Sequence, residues 1–175
     1  MNEQELTRLI ESWENLPLII HQIIDKPEEI NTLMNMALYS DHRRSWRAAW
    51  IADKVNDIKP ELITPFLNKM IRQLKRETNT GKKRQFLKLI SKNKVPEKYF
   101  TFLIDYCLNC FTSAFEPVAV KVNALQILFN ISEIETELKN ELLYLIEHET
   151  EQNPIAGIKA RGEKIARLLR KQINC

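Results

Sequence analysis

The chain predicts an all-α fold built from stacked helix pairs, and three observations carry that expectation. An apolar helical pattern recurs: WRAAWIA from Trp46, KRQFLKL from Lys83, KVNALQI from Lys121 and KARGEKI from Lys159 begin 37, 38 and 38 residues apart. Proline stands near the start of most apolar segments, where its missing N–H is harmless because first-turn amides have no acceptor within the helix. No run of alternating apolar and polar residues bounded by turn signals occurs, so no strand is expected. A period of this size belongs to repeats that bury their apolar faces only by stacking on neighbours.

The stretch SWRAAWIADKV, from Ser45 to Val55, shows the logic best. On a helical wheel it is apolar almost all the way round, with one narrow basic seam of Arg47 and Lys54. A helix of that kind needs cover on several sides, and its copies along the chain supply it.

The elements follow in order. Leu6, Leu9, Ile10 and Trp13 share one face of a helix over 3–13. Asn15-Leu16-Pro17 breaks it, and a short apolar helix resumes over 18–24. Pro27 starts the next, with Glu28 and Glu29 favourably placed against the helix dipole, and Ile30, Leu33, Met34, Ala37 and Leu38 form its buried stripe. Asp41 or Ser40 is the expected N-cap of the central helix. Thr64-Pro65 then gives a cap and a first helical residue for a helix over 65–76. That helix divides cleanly: Phe66, Leu67, Met70, Ile71 and Leu74 lie on one arc, and Lys69, Arg72, Gln73, Lys75 and Arg76 on the other. Thr80-Gly81 separates this pair from a helix that buries Phe86, Leu87, Leu89 and Ile90 and exposes Arg84, Lys88, Ser91 and Lys92. Pro96 starts its partner over 97–111. Pro117 opens a helix over 118–131, followed by one over 135–147 with Leu138, Leu142, Leu145 and Ile146 inward. Asn153-Pro154 opens a last basic helix over 155–173.

At 175 residues, with 44% hydrophobic and 28% charged residues, the chain reads as one globular domain with a sizeable core. The expected layout is a single helical-repeat domain over 1–175, with capping helices over 1–40, three helix-pair repeats over 41–153, and a capping helix over 154–175. The acidic, amphipathic start lacks the features of a signal peptide. The longest apolar run, Leu16 to Ile20, is too short to span a bilayer. Three cysteines, an odd number, speak against a disulfide framework. The expected location is the cytoplasm.

Net charge is only +3, but it is segregated. Residues 1–40 carry −5, residues 41–94 carry +10, residues 95–153 carry −7 and residues 154–175 carry +5. Segregation on this scale steers partners of opposite sign; it bears on association rather than on fold.

The 38-residue period of helix pairs, the prolines near helix starts and the Ala-rich Arg47-Ala48-Ala49-Trp50 resemble HEAT-like and armadillo-type helical repeats, over roughly residues 41–173. The resemblance implies a right-handed α-solenoid of antiparallel helix pairs, about four to five repeats long. A closed all-α bundle is the alternative, disfavoured by the repeat. The resemblance also implies that the second helix of each pair lines a concave, partner-binding side. Lys69, Arg72, Lys75 and Arg76 would then face the groove and hold an anionic ligand, either an acidic protein segment or nucleic-acid phosphates; the plain alternative is a solvated helix face. Tyr144 and His148, one turn apart with Asn140 before them, would add a polar strip. Arg84, Lys88 and Lys92 would face the convex side.

Trp46, Trp50, Asp53 and Asp57 share one helical face. They resemble, in ingredients, the alkylpurine DNA glycosylases, which hold a damaged nucleotide between aromatic rings and an essential carboxylate. That family's paired tryptophans followed directly by Asp are absent, since Ile51 follows Trp50. The structural alternative makes both tryptophans inter-repeat core, with the carboxylates at the helix edge. Cys107-Leu-Asn-Cys110 is a CxxC string without the second pair that a structural zinc requires, and Cys175 is terminal, so these thiols read as small core residues. His21, His42 and His148 form no ligand spacing. No catalytic residue, metal set or cofactor motif is assigned. The expected function is a non-catalytic binding or scaffold module for a protein partner. A nucleic-acid-binding relative of the glycosylases and a head-to-tail self-associating chain are the alternatives; no membrane partner is expected.

Overall fold

The computed structural model describes residues 1–152 and 155–174. Among them are ten α-helices and no strand. The chain divides into two compact units, Met1–Asn93 and Lys94–Cys175.

The first unit contains α1 (Glu3–Leu9), α2 (Leu16–Asp25), α3 (Ile30–Tyr39), α4 (Ser45–Ile58), α5 (Leu67–Leu74) and α6 (Thr80–Lys92), several of them entered through a single 3-10 turn. Helices α2, α4 and α6 form one row, α1, α3 and α5 a second, and α3 on α4 and α5 on α6 join the rows. This is the packing a tandem repeat predicts, because each helix meets its counterpart one period away. Leu33, Met34, Ala48, Ala49, Ile51, Phe86 and Leu89 are fully buried where the rows meet.

Several boundaries depart from the sequence reading, each for a local reason. Helix α1 stops at Leu9 and Trp13 falls in a separate 3-10 turn, Trp13–Asn15, capped by the Ser12 side chain. Pro17 does not interrupt a helix. It sits in the first turn of α2, where it removes no intrahelical bond. The predicted cap of α4 is also corrected. Ser40 Oγ accepts from the His42 amide, and His42 Nδ1 accepts from the Arg44 amide, both at 3.2 Å, so Ser40 acts one step upstream and Asp41 does not cap. Thr64 donates its hydroxyl to the Pro60 carbonyl, and the α-helix begins only at Leu67.

Gly81 lies inside α6 rather than between helices. A Cβ there would come within 2.9 Å of Trp46 Cγ, so the missing side chain is what lets α6 approach the Trp46 ring. Asn79 caps α6, its Oδ1 accepting from the Lys82 amide at 3.1 Å.

The second unit contains α7 (Phe100–Thr112), α8 (Val118–Ser132), α9 (Leu138–Gln152) and α10 (Ala156–Ile173). Helix α8 is its centre, in contact with α7, α9 and α10, and α9 packs on α10. Its core is Phe100, Leu103, Cys107, Phe111, Ala124, Leu125, Leu128 and Leu169. Helix α9 runs later than predicted, and only Leu142 and Ile146 on it are buried. The Asn153-Pro154 signal and Cys175 lie outside the described residues.

Candidate functional site

Helix α5 carries the clearest candidate. Its eight residues split by face: Leu67, Met70, Ile71 and Leu74 are buried, while Lys69 and Arg72 are exposed. The helix ends at Leu74, two residues short of the expected end, so Lys75 occupies the C-cap and Arg76 the following turn; both are exposed. Cations at this end are favoured by the negative pole of the helix dipole. Lys69 Nζ sits 5.4 Å from the centroid of the Phe66 ring. The neighbouring acid, Glu77, accepts from the Asn79 amide at 2.9 Å and from Gln73 Nε2 at 3.4 Å. All four predicted cations therefore lie on α5 or in the turn directly after it.

Tyr144 and His148 belong to the second unit. They stack on α9 with ring centroids 6.3 Å apart and planes 10° from parallel, and Tyr144 is 71% exposed. The six predicted partner-binding residues are thus exposed, four in the first unit and two in the second.

The reading of the α4 face and of the α6 lysines beside it is corrected in four places. Asp53 is fully buried instead of lying at a helix edge. Its Oδ2 accepts from Lys88 Nζ at 2.6 Å and its Oδ1 from Lys92 Nζ at 2.5 Å, and Lys92 also reaches Asp57 at 2.6 Å. Lys88 and Lys92 are therefore interhelical partners of α4, not a free convex patch. Burial pulls the Lys92 ammonium pKa down, but hydrogen bonds to Asp53 and Asp57 and their charges outweigh it, and the net shift is upward. With both oxygens engaged by ammonium groups, Asp53 serves as the anchor of a charge cluster between α4 and α6. Arg47, read as part of a surface seam, is likewise buried; its Nη1 donates to the carbonyls of Ile10 and Glu11 at 2.8 Å each. Trp46 and Trp50 are largely but not fully buried, and part of their cover is Trp13, which packs edge-on against both. The one sequence signal for that contact is spacing: Trp13 precedes Trp50 by one period.

Cys107 and Cys110 are buried on α7 outside any disulfide, as small core residues would be. Burial, and secondarily Cys110, pushes the Cys107 thiol well above its usual range, which disfavours the thiolate. Among the described residues no group of three His, Cys, Asp or Glu is placed to hold a metal ion. No helix among them is long and apolar enough to cross a membrane.

Compared with known proteins, residues 3–169 match the family model of a HEAT repeat domain. The match takes in residues 3–40 as well as the region where the period is legible; it does not show the likeness to the alkylpurine DNA glycosylases. No curated protein and no solved structure matches the chain.

Proposed function

The chain belongs to the HEAT repeat domain family, and from that premise we propose that it is a non-catalytic binding or scaffold module, acting in the cytoplasm, whose partner is a protein with an acidic segment. HEAT repeats commonly serve as protein-interaction scaffolds. The observation that carries the choice of partner is the α5 arc, where Lys69, Arg72, Lys75 and Arg76 are exposed together above a buried apolar face. Exposed charge of one sign speeds encounter with the opposite sign and selects against wrong partners, while each single pair adds little affinity. Tyr144 and His148 supply a second, aromatic contact on the other unit.

The test is the anisotropy of a labelled polyglutamate peptide titrated with the full chain and with the K69E/R72E/R76E variant. Salt-sensitive binding by the native chain that disappears in the variant is expected. Equal binding by both proteins would overturn the assignment of the arc. A duplex oligonucleotide that outcompetes the peptide there would overturn the choice of partner.

A further inference from the structure

All three tryptophans of the chain stand on one surface of the first unit. Trp13, between α1 and α2, meets Trp46 and Trp50 of α4 edge-on, with centroids 5.6 Å apart in both cases. It remains 50% exposed. Cations crowd these rings. The Arg47 guanidinium lies 4.5 Å from the Trp13 centroid and 5.8 Å from that of Trp46. Arg84 lies 5.9 Å from Trp46, and Lys54 lies 5.5 Å from Trp50.

Around Arg47 positive charge predominates. Arg43 and Arg44 stand close enough to Arg47 for their charges to oppose its own, with Glu11 acting against them. Glu11 is shared between Arg44 and His42. Asp53 and Asp57, 3.8 and 3.9 Å from Lys54, are engaged by Lys88 and Lys92. Arg47 spends its Nη1 on backbone carbonyls, and its Nε is buried without an acceptor. Glu11 is thus the carboxylate that acts on Arg47 against Arg43 and Arg44, beside a half-open indole ring.

We infer that this surface binds single-stranded nucleic acid, with a base stacked on Trp13 and backbone phosphates held by Arg43 and Arg44. A nucleotide meets both demands at once, offering an aromatic face to the ring and an anion to the guanidinium groups. An acidic peptide satisfies the cations but leaves the indole in water. A duplex buries its base faces in its own stack, so Trp13 cannot reach them. The site does not use the α5 arc and does not depend on the function proposed for it.

Because every tryptophan lies here, tryptophan emission, excited selectively over that of the four tyrosines, reports on this surface alone. Oligothymidylate added to the full chain at low salt is expected to quench the emission saturably, with weaker binding as salt rises. By anisotropy of the labelled strand, Trp13→Ala weakens binding about tenfold. Arg43→Glu, an exposed substitution that leaves helix content by circular dichroism intact, weakens binding and flattens its salt dependence. The K69E/R72E/R76E variant keeps the quenching, which separates this surface from the α5 reading. Absence of quenching, unchanged affinity in Trp13→Ala, loss of binding in the α5 variant, or equal quenching by polyglutamate would each overturn the inference.

Discussion

The two units solve the same stacking problem with different chemistry. The first buries six polar or charged side chains: Ser45, Arg47, Asp53, Asn56, Lys82 and Gln85. The second, among its described residues, buries two, Lys121 and Ser132. In the first unit many of these groups bond one period away. Arg47 reaches Ile10, Asn93 reaches Asn56, and Lys92 reaches Asp53, across 37, 37 and 39 residues. Lys59 caps the Ile24 carbonyl and Lys82 the Ser40 carbonyl in the same manner, across 35 and 42 residues. In the second unit Arg161 to Gln126, across 35 residues, is a comparable bond. Gln172 to Glu133, across 39 residues, is another, and Arg170 pairs with Glu147. Beside these bonds α7, with its buried Phe100, Leu103 and Phe111, packs on α8.

The difference teaches what each device does. Apolar packing is strong but tolerant of sliding, whereas a buried charge satisfied by particular carbonyls or ammonium groups admits a single register. The first unit is therefore specified by its polar ladder. The second, with fewer buried polar groups, rests more on the fit of its apolar side chains.

The largest expected effect breaks the apolar side. Phe111→Ala should cost about 3–5 kcal/mol through a cavity on α7, read from urea denaturation, with hydrogen exchange accelerating first in α7 and α8. On the polar side, Asp53→Ala leaves Lys88 and Lys92 without their shared carboxylate and should cost about 3 kcal/mol. The triple change D53L, K88M and K92M is expected to recover most of that loss. Failure to recover would mean that the cluster stabilises the unit as well as setting its register.

Gly81→Ala gives a sharper sign test. In an ordinary helix it gains up to about 1 kcal/mol. Against Trp46 at 2.9 Å it should instead lose about 1–2 kcal/mol, and a gain in melting temperature would show that the ring moves aside freely. The smallest effect is electrostatic. Because the Lys92 pKa is raised above its ordinary value of 10.5, its contribution is fully present below that pH and fades as pH rises through the higher folded-state value. Stability of the native chain should therefore fall more steeply above pH 10.5 than that of Lys92→Met, and parallel curves would remove Lys92 from the ladder.

Much of this molecule is determined by the amino-acid sequence alone. The period from Trp46 to Lys159, the prolines at helix starts and the face division of α5 are local or translational patterns, and backbone geometry converts them directly into helices and exposed arcs. The exposure of Lys69, Arg72, Lys75 and Arg76 is legible for that reason. The burial of Arg47, Asp53 and Lys82 is not, because a charged residue reads as surface until a partner a full period away is brought beside it. Likewise Trp13 looks like the end of an apolar stripe, and Gly81 like a turn. Only the packing of the α1–α2 turn and of α6 against α4 makes them one aromatic surface, since no pattern within a helix records what approaches it from another.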